Sequence, residues 1–179
     1  MAEDGVEDYA LAKRKAARET GAPDTRELPT NDEIDEALRT YQQIYHEQEH
    51  RERLRGLRET ALRAMREFSR FNPHLTGSVL SGNTGKYAEI SLQFFTDDAK
   101  AVELYLIDRG IPYDAGQSRL YAGAGPLTAP VYNVNDDGAE IEITVLSMRE
   151  LRGPLRASAG GKAIERAKPQ AVEALLAKT

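Results

Sequence analysis

The 179-residue chain contains no cysteine. That single absence removes disulfides, thiolate zinc sites and thiol nucleophiles together. No apolar run approaches the ~18–20 residues that a membrane-spanning helix requires, so a transmembrane helical protein is excluded. Histidine is scarce, with three in the whole chain, which restricts any imidazole-based metal site. The opening Met1-Ala2-Glu3-Asp4-Gly5 lacks the basic start and apolar stretch of a secretory signal, so the cytoplasm is the expected compartment. No internal repeat is visible.

Charge is what the chain has in quantity. Charged residues make up 30% and apolar residues 40%, and the formal net charge is −5. Residues 1–70 sum to −3, residues 71–150 to −6 and residues 151–179 to +4. An acidic middle followed by a basic tail lacks the concentrated positive field of a nucleic-acid surface. The tail retains a few cations able to face phosphates; the plainer alternative is a solvated terminal segment.

The first seventy residues read as helices. Glu7–Thr20 is rich in Ala, Lys, Arg and Glu, with Gly21 as a stop and Ala22-Pro23-Asp24 as a turn. Thr30 and Glu33 have the spacing of a capping box. The helix after them places Ile34, Leu38, Tyr41 and Tyr45 on one stripe. A further helix, from about Arg51 to Phe71, puts Leu54, Leu57, Ala61, Leu62, Met65 and Phe68 inward and a dense Arg/Glu face outward. Pro73 ends it and pushes Asn72 toward an extended conformation.

From residue 74 the period becomes two. His74–Leu80 and Tyr87–Phe95 read as strands around a glycine-rich link. Asp97 is placed to cap a helix to Arg109, with Ala101, Val102, Tyr105 and Leu106 inward and Gly110 as its stop. Ile111–Tyr113 and Ser118–Tyr121 read as short strands about an Asp114-Ala115-Gly116 turn. Pro130–Val134 and Ala139–Leu146 flank the hairpin signal Asn135-Asp136-Asp137-Gly138. Ser147 and Glu150 form a second capping box before a short helix, and Pro169 suits the first turn of a last helix to about Ala177. The expected organisation is a helical region over residues 1–72, packing on or extending from an α+β core over residues 73–179.

Three stretches carry motif-like patterns. His46-Glu47-Gln48-Glu49-His50 matches H-E-x-x-H, in which two imidazoles one turn apart share a zinc and the glutamate activates water. Its surroundings are strongly charged and hold little to exclude water. The third ligand would have to be His74 or Glu67. A solvated helix is the plainer reading, with a zinc hydrolase behind it. Gly82-Asn83-Thr84-Gly85-Lys86-Tyr87 approaches a phosphate-cradling P-loop, but Leu80 stands where the first glycine belongs and Tyr87 replaces the metal-binding hydroxyl. A turn is expected there.

The third stretch is Gly77-Ser78-Val79-Leu80-Ser81-Gly82, followed by Glu89-Ile90-Ser91 on the next strand. Over roughly residues 55–150 this resembles the polymerase-β-like nucleotidyltransferase superfamily. There a Gly-Ser turn and a second glycine precede a strand bearing Asp-hydrophobic-Asp, and a third carboxylate comes from a later strand. The resemblance implies an α+β fold with a mixed or antiparallel sheet, flanking helices and an N-terminal helical extension. It also implies a nucleoside triphosphate positioned by Gly77, Ser78 and Gly82. Glu89, Ser91 and Glu142 would stand at the catalytic positions, with Mg²⁺ held by Glu89, Glu142 and Glu140. Arg149, Arg152 or Arg156 would meet the polyphosphate. Two metals in that family stabilise the attacking and leaving oxygens, and alternation along a strand puts residues i and i+2 on one face.

Here Glu89 replaces the first aspartate and the neutral Ser91 replaces the second, although Mg²⁺ prefers charged oxygen ligands. The expectation is therefore a degenerate metal site that retains nucleotide or phosphate binding, with weak or no transfer. The plainer alternative makes Glu89, Ser91 and Gln93 the solvent face of a strand whose Ile90, Leu92 and Phe94 pack inward. The rival from another class is a non-catalytic interaction or scaffold protein, self-associating through its helical region.

Overall fold

The structure, a computed structural model, describes residues 30–85, 87–123 and 125–178. The expected Glu7–Thr20 helix, its Gly21 stop and the Ala22-Pro23-Asp24 turn lie outside these residues, as does Lys86. Among the described residues no helix is long and apolar enough to cross a membrane. The fold is α+β, with a five-stranded mixed open sheet and helices.

Two compact units divide the chain, Met1–His50 and Arg51–Thr179. The long helix α1 (Asn31–Glu67) joins the two helices expected separately into one; no proline interrupts it. In the first unit its start is the expected capping box. The Thr30 amide donates to Glu33 Oε2 at 2.7 Å, and the Glu33 amide donates to Thr30 Oγ1 at 3.3 Å. Tyr41, Ile44 and Tyr45 are exposed there, with the two tyrosine rings stacked at 6.0 Å.

In the second unit α1 is part of the core, because Leu54, Ala61, Leu62 and Met65, with Phe68 just past its end, are buried in one cluster with strand residues. This moves the unit boundary from the expected residue 72 to the middle of the helix. A 3₁₀ turn (Ser69–Phe71) follows. Asn72 does not become extended before Pro73: it is left-handed, at φ 50° and ψ 60°, with its amide on Ser69 O. Asparagine tolerates this conformation, and the turn it closes outweighs the bias imposed by the following proline.

The sheet strands are β1 (His74–Thr76), β2 (Ile90–Phe95), β3 (Tyr113–Ala122), β4 (Gly125–Asp136) and β5 (Ala139–Leu146). Their spatial order is β1-β2-β5-β4-β3, with β2 and β5 parallel and the other pairs antiparallel. The remaining helices are α2 (Gly77–Ser81), α3 (Ala99–Asp108) and α4 (Pro169–Ala177). The expected strand to Leu80 stops at Thr76, because Gly77 turns left-handed and opens α2. Asp98, not Asp97, caps α3 by accepting from the Ala101 amide; Asp97 accepts from the Met148 amide instead.

Asp114-Ala115-Gly116 is not a turn. It pairs with Val131–Asn133 of β4, so one continuous strand replaces the two short ones. Pairing with a partner strand satisfies the backbone that a local turn would have left to water. The expected hairpin between β4 and β5 does form. Asp137 and Gly138 take φ 52° and 83°, as a two-residue loop matching strand twist requires.

One sheet face carries Leu75, Ile90, Leu92, Phe94, Ile141, Ile143 and Val145 into a core shared with α1, α3 and α4. Phe68 and Phe71 lie 5.3 and 5.9 Å from the Phe94 ring. The C-terminal segment covers one end of the opposite face. Leu155 from the C-terminal segment packs there on Phe95, Leu120, Ala129 and Leu146. Gln93, expected on a solvated face, is consequently only 4% exposed. Arg63 of α1 holds the β4–β5 hairpin through Nε and Nη2, both on Asp136 Oδ2.

Candidate functional site

The end of that second face left open is polar. Strand register aligns Thr76 with Ser91, Ser91 with Glu142, Glu142 with Asn133, and Asn133 with Asp114. Directly paired residues share a face, so these five polar side chains form one row across all five strands. Ser91 and Glu142, singled out from the sequence, are neighbours in it. Glu140 lies on the same face one alternation further along β5, and Glu89 is exposed just before β2. Thr76, Asn133 and Asp114 were missed. Nothing local marks them, and only the pairing order brings them into the row.

The Gly77 bend is seated on this row. Gly77 has φ 71°, and a Cβ there would stand 3.2 Å from Ser91 Oγ and 3.4 Å from Ser91 Cβ. Glycine is required twice over, by the left-handed backbone and by the close approach. Ser78 follows; its carbonyl accepts from the Gly82 amide at 2.8 Å, closing α2 with Gly82 left-handed. The sequence-selected Gly77, Ser78 and Gly82 thus form one compact bend beside Ser91.

Arg58 holds the bend from behind. It is 7% exposed; its Nε donates to Val79 O and its Nη2 to Leu80 O, both at 3.1 Å. Burial lowers its pKa. A buried guanidinium aimed at two carbonyls supplies donors that the end of a short helix would otherwise lack. The sequence offers no signal for this role, since Arg58 is one of many arginines on a charged helix.

Glu142 is half-buried, and burial pushes its pKa up, with the charge of Glu89 raising it further. Ionising Glu142 in the folded protein therefore carries a penalty that is small at low pH and complete once pH exceeds its raised pKa. Glu142→Gln is expected to raise stability at pH 7. The advantage should vanish as pH falls through the ordinary glutamate range, about 4.3, where both states are protonated. Urea denaturation at pH 7 and pH 3.5 measures the difference; equal stabilities at both values would refute the assigned strain.

The other candidate residues are dispersed. Arg149 and Arg152 lie beyond Leu146, at the opposite end of β5 from Glu140. Arg149 lines a separate groove of about 300 Å³ with Ala122, Gly125 and Leu127. Arg156 is engaged through its backbone with Tyr121 and Ala163. The expected meeting of these arginines with the Gly77 bend is not formed, because the C-terminal segment covers the far half of the face.

His46 is exposed, with Nδ1 3.7 Å from Glu49 Oε2. His74, the possible third zinc ligand, is buried, with Nδ1 3.0 Å from Asn72 O and its ring edge on Phe95. Burial lowers the His74 pKa and outweighs the bond to Asn72; Arg166 and Lys168 lower it further. Among the described residues no three His, Cys, Asp or Glu side chains gather as a metal-ligand set. That applies to the H-E-x-x-H pair and equally to Glu89, Glu140 and Glu142. No family model, curated protein or solved structure matches the chain, so the bend and the polar row carry the functional reading by themselves.

Proposed function

We propose that Arg51–Thr179 is a nucleotidyltransferase-like domain that binds a nucleoside triphosphate with a divalent cation and transfers nucleotide weakly or not at all. The observation that carries this reading is the Gly77 bend pressed against Ser91, in register with Glu142. The residues fit one cation and not a pair. Glu89 and Glu142 are close enough for one carboxylate to disfavour ionisation of the other, a repulsion that a cation would relieve. Ser91, between the bend and Glu142, has no charge to offer a second ion. Mg²⁺ is commonly held by one or two carboxylates together with substrate phosphates, and when bound it would neutralise phosphate oxygens.

In this reading the bend at Gly77 and Ser78 orients the phosphates while Ser91 contributes a hydroxyl hydrogen bond. Glu89 and Glu142 hold the charge balance, and Glu140 extends the acidic edge. Transfer suffers because a neutral hydroxyl replaces the carboxylate that would share two ions. Calorimetric titration with ATP, GTP, CTP and UTP in Mg²⁺ tests the proposal. Saturable binding of at least one is expected, weakened at least about tenfold by Glu142→Ala, the scale of one lost charge-assisted contact. Absence of heat with all four would falsify the nucleotide site.

A further inference from the structure

A groove of about 600 Å³ opens between α1 and the β4–β5 hairpin, within the size range of small-molecule sites. Arg53, Gly56 and Thr60 line one wall, Asn135 and Glu140 the other, and Tyr87 stands at its edge. Tyr87 is 91% exposed, an unusual placement for a large ring beside a cavity. Gly56 lies inside a long helix, where alanine would be favoured. A Cβ at that position would meet nothing within 4 Å. Neither packing nor a positive φ calls for glycine there; its missing side chain leaves the groove open.

The groove also adjoins the carboxylates that flank the polar row. Tyr87 and Ala88 lead directly into Glu89, and Glu140 precedes Glu142 by one alternation on β5. Its lining carries both signs of charge with an amide and a hydroxyl, which suits a flat, neutral ring with hydrogen-bonding edges better than a polyphosphate.

We infer that this groove receives the nucleobase of the ligand whose phosphates sit at the Gly77 bend, an assignment that rests on the proposed nucleotide site. Tyr87 stacks on the ring face, Gly56 leaves room for it, and Asn135, Thr60 and Glu140 meet its edge. Base–aromatic stacking contributes about ten- to hundredfold in affinity.

The full chain, with Mg²⁺, is titrated with ATP, GTP, CTP and UTP and, separately, with inorganic tripolyphosphate. Tyr87→Ala and Gly56→Leu are expected to weaken the bound nucleotide about tenfold or more and leave tripolyphosphate within twofold; Tyr87→Phe should bind as the natural chain does. Circular dichroism verifies the fold of each variant, and neither substitution removes a buried side chain. Tripolyphosphate binding together with nucleotide affinity unchanged in both variants overturns the groove assignment alone. Equal weakening of both ligands also overturns it, because the ring would then act only through the shape of the loop. Failure of the natural chain to bind either ligand removes the phosphate site and this inference with it.

Discussion

Arg58→Met is expected to lower folding stability by about 3 kcal/mol, the scale of two buried carbonyls losing their donors. Methionine keeps most of the aliphatic stem in place, so the loss reports the donors and not a cavity. Val79 O and Leu80 O, each bonded at 3.1 Å in the natural chain, would be left unsatisfied at the end of α2. Arg58→Lys should recover about half, because an ammonium is a point donor and cannot span both oxygens as the planar guanidinium does. The midpoint of denaturant unfolding at constant slope is the measurement. A loss below about 1 kcal/mol for the methionine variant, within the range of an ordinary surface contact, would mean that other donors reach the carbonyls. The bend should loosen in parallel, so, under the proposed function, nucleotide affinity is expected to fall further for methionine than for lysine.

Gly77→Ala should cost a similar amount through two separable causes. Holding a non-glycine residue at φ 71° costs roughly 1–2 kcal/mol. The added methyl, 3.2 Å from Ser91 Oγ, forces a local shift costing about 1–3 kcal/mol in a packed site. Ser91→Gly placed on the Gly77→Ala background removes the steric part and leaves the backbone part. The two substitutions should therefore couple by about 1 kcal/mol in a double-mutant cycle, as residues in contact do. Additive behaviour would show that the bend does not press on Ser91, and the polar row would lose its link to the glycine turn.

Legibility of the chain followed the range of the interaction. The Thr30–Glu33 box and the Asp137-Gly138 loop were readable, because each depends on a few consecutive residues and on backbone conformations that few residue types adopt, whereas local periodicity ran a strand through Gly77 and only the family resemblance placed a turn there. The capping of α3 missed by one residue, since Asp97 and Asp98 are chemically equivalent and only the approach of the Met148 amide separates their tasks. Asp114-Ala115-Gly116 looked like a turn and became strand because β4 supplied partners for its backbone. The continuity of α1 was hidden by a change of surroundings along its length.

The site divides along the same line. Gly77, Ser78, Gly82, Glu89, Ser91, Glu140 and Glu142 could be selected from the sequence, since they stand at the positions of the motif that the chain resembles. Arg58 could not, because its burial arises only when α2 folds against α1. Thr76, Asn133 and Asp114 could not, because they join Ser91 and Glu142 through strand pairings that span up to 51 residues of chain, from Ser91 to Glu142. By itself the sequence determined the helical and β-rich regions, the hairpin loop at Asp137-Gly138 and the absence of thiol chemistry, all consequences of residue type and short-range sterics. Only the tertiary structure decided the strand order, the half-covered polar face and the distance between the arginines and the bend. Those depend on which distant surfaces exclude water from one another, and no local pattern encodes that choice.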